Sequence, residues 1–200
     1  GVKGAGAFID FEKQMNEVFT LLPGISQSAM DDMSNQALAL SQDFGVLPEE
    51  VVPALYSALS AGVPPDNVFS FLETASMASI GGITSLDTAV DGITSVVNAY
   101  GAETINAAAA SDVMFTAVRL GKTNFEELSS SLFNVIPTAA SLGVSFEDVA
   151  AQMAVMTAQG VPTSVATTQL RAALVEASKG GTKLDEAFKQ LTGQSFAELI

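Results

Sequence analysis

The sequence predicts an all-α fold, a bundle of about nine to ten short helices with an internal two-fold sequence repeat. Three observations carry the prediction. Apolar residues recur at helical spacing, as in Phe125, Leu128, Leu132, Val135, Ile136 and Ala139, then Phe146, Val149, Ala150, Met153 and Met156. Glycine and proline punctuate the chain at helix-sized intervals, and no stretch alternates with the period of two that a strand requires. A gapless shift of 98 residues superposes the punctuation of one half on that of the other.

Residues 1–6 are glycine-rich and read as a linker or the frayed end of an upstream helix. Ala7 to Leu22 form a first helix, with Phe8, Phe11, Met15, Val18, Phe19 and Leu22 on one stripe, ended by Pro23-Gly24. Ser28 to Phe44 form a second, stopped by Gly45. Pro48 opens a third that runs to Ala61 and closes at Gly62; Pro53 within it removes a hydrogen bond and crowds the preceding turn. Pro64-Pro65-Asp66 starts a fourth, ending at Gly81-Gly82. Ser85 to Tyr100 and Glu103 to Leu120 follow.

Three helices then occupy residues 121–178. Thr123 with Glu126 caps the first, and Ser145 with Asp148 caps the second: the hydroxyl accepts a backbone N–H and the carboxylate favours the positive helix start. Gly143 and Gly160 stop helices, and Pro162 opens the third. Thr182 with Asp185 caps a short final helix that Gly193 ends. The terminal SFAELI reads as a helix just begun; with no starting methionine, this suits an excerpt of a longer polypeptide, or a processed one.

The repeat places Gly45, Val46, Glu49 and Val51 on Gly143, Val144, Glu147 and Val149. Gly62, Val63 and Pro64 fall on Gly160, Val161 and Pro162, and Leu72 falls on Leu170. Gly82, Thr84 and Leu86-Asp87 fall on Gly180, Thr182 and Leu184-Asp185. The matches lie at helix stops, starts and core positions, where a fold constrains sequence most. The implied organisation is an entry linker and helix (1–24), a first repeat unit (25–100), a connecting helix (101–122) and a second unit (123–200).

Composition narrows function. There are 22 acidic residues against 8 basic ones, net charge −14, and no Lys or Arg between Lys13 and Arg119. Binding to a nucleic-acid backbone needs such residues to displace counterions, so it is not expected. No histidine and no cysteine remove the usual general base, the commonest metal ligand, disulfides and thiol chemistry. Two stretches, Leu128 to Phe146 and Val149 to Leu170, carry no charge and are long enough to span a bilayer. Both are broken by Gly and Pro and interspersed with Ser, Thr, Asn and Gln, which favours packed helices over a resting membrane span.

The carboxylate pairs Asp31-Asp32, Glu49-Glu50, Glu126-Glu127, Glu147-Asp148 and Asp185-Glu186 read as first-turn residues stabilised by the helix dipole, not as acid/base couples in one cleft. Gly81-Gly82 and Gly180-Gly181 lack the strand and lysine of a phosphate cradle. Ser178-Lys179 is a helix end, and no calcium loop is present. No catalytic residue, metal or cofactor is expected. The seven methionines and twelve phenylalanines lie mostly on the apolar stripes, suited to a core and, for Met, to helix-groove interfaces.

Several segments carry a family likeness: Asn124-Phe125-Glu126-Glu127-Leu128, Val135-Ile136-Pro137, Leu142-Gly143-Val144-Ser145, Phe146 to Ala151, Gly160-Val161-Pro162 and Gln169 to Leu174. With Leu38 to Ala61 ahead of them, they resemble the core region of phage tail tape measure proteins of the lactococcal-phage TP901-1 type. The resemblance implies a non-enzymatic structural protein that sets tail length while tube rings stack around it, and that aids genome ejection or envelope penetration. It implies a virion location in the tail lumen or tail tip after synthesis in the host cytoplasm. Implied partners are copies of the chain in three- or six-fold symmetry, tail tube and baseplate or tail-tip proteins, tail assembly chaperones and, on infection, the host membrane. Lacking long heptad runs, this segment would be a globular helical region. The competing reading is a membrane-active helical protein that refolds its uncharged stretches into a bilayer.

Overall fold

The structure is a computed structural model that describes the backbone of residues 2–195 and the side chains of 9–183, 185–187 and 189–195. Among the described residues there are eleven α-helices, one 3-10 turn and no strand. They are α1 (Val2–Phe19), α2 (Gln27–Phe44), α3 (Pro48–Ser60), α4 (Val68–Gly82), α5 (Leu86–Tyr100), α6 (Ala107–Leu120), α7 (Phe125–Leu132), α8 (Ile136–Ser141), α9 (Phe146–Ala158), α10 (Thr163–Ser178) and α11 (Lys183–Thr192). The residues beyond Ser195, including most of the expected terminal helix, lie outside the described residues.

The chain divides into two compact units at Thr94/Ser95, within α5. The helix expected to connect the units, α6, packs on α7 and α9 and so belongs to the second unit. Its start also differs. Glu103 and Thr104 lie in a turn, and the Asn106 side chain caps α6 by accepting the N–H of Ala109 at 2.9 Å. At the N-terminus α1 begins at Val2 instead of Ala7, because helical hydrogen bonding, once nucleated, propagates into the glycine-rich flank.

In the first unit α3 is the hub, packing against α1, α2 and α4. Its buried Val51, Val52, Ala54, Leu55 and Ala58 meet a core that includes Met15, Val18, Ala37, Leu40, Val68 and Leu72. Small alanines on α3 allow three neighbours to approach one short helix. Pro53 stays within α3 with its ring on the exposed side. Pro65–Asn67 form the 3-10 turn that leads into α4.

In the second unit α9 is the hub, packing against α6, α8 and α10, while α10 also packs on α7, α8 and α11. Phe125, Leu128, Leu132, Val135, Ile136, Phe146, Val149 and Met153 are all buried. The single helix expected through residues 123–139 is two helices here. Pro137 has no N–H and its ring excludes a helical carbonyl four residues back, so the chain turns at Phe133–Val135 and restarts as α8. Apolar periodicity crosses the break, which is why it reads as one helix in sequence.

The starts of two helix pairs and the end of one differ by a common offset between the two units. α3 and α9 are each 13 residues long, from Pro48 and Phe146, and α2 and α7 start at Gln27 and Phe125. The Gly-Val-Pro corners share their hydrogen bonds. Gly62 and Val63 N–H donate to Leu59 and Ala58 O, both at 3.0 Å; Gly160 and Val161 N–H donate to Thr157 and Met156 O at 2.9 and 3.1 Å. These are Schellman corners, with Gly62 and Gly160 in the left-handed region at φ 94° and 93°. Pro64 and Pro162 follow in extended geometry and launch the next helix. The correspondence slips by one residue at the next start, where Ser85 receives the N–H of Thr88 in one unit and Thr182 that of Asp185 in the other.

The end of α4 departs from the glycine rule. Ile83 has φ 52° and ψ 51°. It closes a Schellman corner in which Thr84 N–H donates to Ser79 O at 3.0 Å. A β-branched residue in this conformation costs about 1–2 kcal/mol relative to the right-handed one.

Candidate interaction surfaces

The titratable groups are arranged for helix capping and surface charge. Glu49-Glu50, Glu126-Glu127, Glu147-Asp148 and Asp185-Glu186 all lie in first turns. Asp31-Asp32 do not: α2 starts at Gln27, which puts them in its second turn, and Gln27 Nε2 donates to Asp31 Oδ1 at 2.9 Å. Among the described residues no group of three or more acidic side chains is placed to hold a metal ion, and no helix is long and apolar enough to cross a membrane.

The α7 start corrects the expected cap. Asn124, not Thr123, is the cap, its Oδ1 accepting the N–H of Glu127 at 2.8 Å. Glu127, not Glu126, takes the reciprocal position, its Oε1 accepting from Asn124 Nδ2 at 3.2 Å. Thr123 is drawn elsewhere. Thr163, almost fully buried at the start of α10, spends its one hydroxyl proton on Glu127 Oε2 at 2.8 Å. Thr123 therefore donates to Thr163 Oγ1 at 2.7 Å. This chain of hydroxyl, hydroxyl and carboxylate ties the starts of α7 and α10 together. Asn124→Ala is expected to cost about 1 kcal/mol, whereas Glu126→Ala stays within about 0.5 kcal/mol; chemical denaturation midpoints check both.

The other caps are simpler. Ser145 Oγ accepts the N–H of Asp148 at 3.1 Å and donates to its Oδ2 at 2.7 Å. Thr182 Oγ1 accepts the N–H of Asp185 at 3.2 Å. Asp185 is buried, accepts the Gly181 N–H at 2.7 Å and pairs with Lys189 at 3.0 Å. Gly45 and Gly143 sit at left-handed corners after α2 and α8.

One group outside the expected set is electrostatically tuned. Tyr100 OH donates to Val144 O at 2.9 Å, and its ring lies 6.2 Å from that of Phe146. Burial, then Glu147, then Asp148, push its phenol up to about 12. The folded state thus holds the proton more tightly than the unfolded chain, whose phenol titrates near 10. Its contribution to stability is complete below that value and is lost as pH rises through about 12. The denaturation midpoint is therefore expected to fall between these two values, and less steeply in Tyr100→Phe.

The surface offers grooves and apolar ridges. In the second unit a shallow groove of about 230 Å³ runs between α6 and α9, lined by Val113, Ala117, Leu120, Ala150, Ala151 and Ala154, with Asp112 and Glu147 also at its wall. In the first unit a cleft of about 640 Å³ lies among Leu21–Ile25, α2 and Pro65–Phe69. Met77, expected among the core-filling methionines, is 58% exposed, beside Ile80 at 55% and Ile83 at 90%. None of these sites brings together a nucleophile and a base. By its described residues the molecule is of the class of all-helical proteins.

The chain matches the phage-related minor tail protein family over residues 34–199 and belongs to it. It is 34% identical, over its whole length, to the "Probable tape measure protein" of Clostridium phage phiCD119, of which it spans 22%. It is 24% identical over 94% of its length to the "Tape measure protein" of Pneumococcus phage Dp-1, of which it spans 16%. No solved structure gives a significant match.

Proposed function

We propose that this chain is a compact helical segment of a tape measure protein, a non-enzymatic component that sets tail length during assembly. The observation that carries the reading is the 34% identity, without loss of either end of the chain, to a relative named for that role. Two physical features support it. Each unit is held by a hub helix with a dense alanine-rich core, suited to packing in confined space. The net charge of −14 repels DNA, which suits a protein that shares a tube with a genome and leaves with or before it.

In this reading the chain resides in the tail lumen or tip and self-associates with the three- or six-fold symmetry of surrounding rings. It meets tail tube and tip proteins there, and chaperones beforehand. The segments 25–100 and 123–200 are duplicated copies of one helical module. The test is the particle itself. Peptides from this chain should be found in purified virions, immunogold should label tails and not capsids, and a nonsense allele should abolish normal tails. A nonsense allele with normal tails would overturn the proposal.

A further inference from the structure

The end of α4 carries strain that chain geometry does not require. Glycine fills the left-handed position of the Schellman corners at Gly62 and Gly160, and Gly82 stands directly beside Ile83. Yet the left-handed residue here is isoleucine, and its side chain is 90% exposed, so burial within the unit offsets nothing. Strain held at an exposed apolar residue is the pattern of a contact site.

The neighbours extend it. Glu73, Met77 and Ile80 share one face of α4 by helical spacing, and all are exposed. Ile83 follows Ile80 by three residues, immediately past the helix end. The surrounding charge has one sign: residues 1–94 hold twelve acids and two bases, net −10, and those bases are Lys3 and Lys13. Asp87 follows Ile83 by four residues and is fixed by the Ser57 hydroxyl at 2.8 Å. Asp91 lies one turn further on, its carboxyl raised above the ordinary range by burial and by Asp87. An apolar row with Glu73 on its own face, carried by a unit of net negative charge, complements an apolar ridge flanked by cations.

We propose that Met77, Ile80 and Ile83 form a docking row for a protein partner that presents an amphipathic helix with a Lys/Arg rim. An anionic bilayer fits less well, because the unit's charge repels it. The same row on a second copy lacks the cationic rim, since residues 1–94 carry only Lys3 and Lys13. The inference concerns this surface alone and does not depend on a role in setting tail length.

The probe is a synthetic amphipathic helix with a leucine stripe and lysine rims, titrated against the whole chain and followed by fluorescence anisotropy. Binding is expected, weakening as salt rises. Ile83→Gly should weaken it by about tenfold while leaving the thermal midpoint at or above that of the parent, since the strain is relieved. Met77→Gln and Ile80→Gln should weaken it without unfolding the chain. Equal binding of the same peptide with glutamate rims would overturn the proposal, as would unchanged affinity in Ile83→Gly. So would selective binding to phosphatidylglycerol vesicles, or self-association in sedimentation that Ile83→Gly abolishes.

Discussion

Replacing Phe125 with alanine is expected to destabilise the second unit by about 3–5 kcal/mol. The side chain is fully buried at the first position of α7, and its ring lies 4.8 Å from that of Phe115 at a tilt of 36°. It is held between α6 and α7, with Leu128 and Leu132 along the same buried stripe. Truncation removes the apolar area and leaves a cavity that rigid helix ends refill poorly, and it also loses the ring pair. A domain is typically stable by only about 5–15 kcal/mol, so this one change removes a large fraction. Phe133, eight residues on, is the control. It is 62% exposed at the turn between α7 and α8, and Phe133→Ala should cost below about 1 kcal/mol. Denaturant titration followed by circular dichroism compares the two; equal losses would contradict the packing described.

Gly121→Ala is expected to destabilise by about 1–3 kcal/mol, although the backbone there is extended and suits any residue. The reason is space. A Cβ at this position would collide with Thr157 Oγ1, and it would stand 2.9 Å from Ala117 O and 3.0 Å from Ala154 Cα. Thr157 cannot yield easily. Its hydroxyl donates to Met153 O at 2.8 Å and accepts the Lys122 N–H at 3.2 Å, and its side chain is fully buried. Two of the three obstacles are main-chain atoms of α6 and α9. Gly121 is therefore a point where the chain leaving α6 passes tightly against α9. In a Thr157→Ala background the added cost should shrink by about 1 kcal/mol or more, because the hardest contact is gone. An additive double mutant would show that the strain lies elsewhere.

Much of this was legible in sequence because the signals are local. Ser145 and Thr182 combine a hydroxyl with a carboxylate three residues on, and both accept the N–H of that residue. The Gly-Val-Pro corners announce themselves through residues suited to a left-handed stop and an extended restart. Thr123 and Asn124 were locally indistinguishable, since each precedes a glutamate by three residues. What separates them is Thr163, forty residues away, which engages the Thr123 hydroxyl and leaves Asn124 to cap.

Other features depended on competing terms. Pro137 was visible, but the apolar period running through Val135, Ile136 and Ala139 masked the break it imposes. Gly81-Gly82 signalled a helix end correctly in place but not in form, because the left-handed residue is the isoleucine after them. The contact surfaces were the least legible. Nothing in the spacing of Met77 distinguishes a buried from an exposed methionine; only the packing of α4 against α2 and α3 decides which side faces out. The steric role of Gly121 likewise depends on Thr157, far along the chain.

The most direct test of the assembly role is tail length measured by electron microscopy. A helix-forming insert of about 70 residues, placed in frame after the second unit, should lengthen tails by about 100 Å at 1.5 Å per helical residue. Tails of unchanged length that nonetheless contain the enlarged protein would contradict the account.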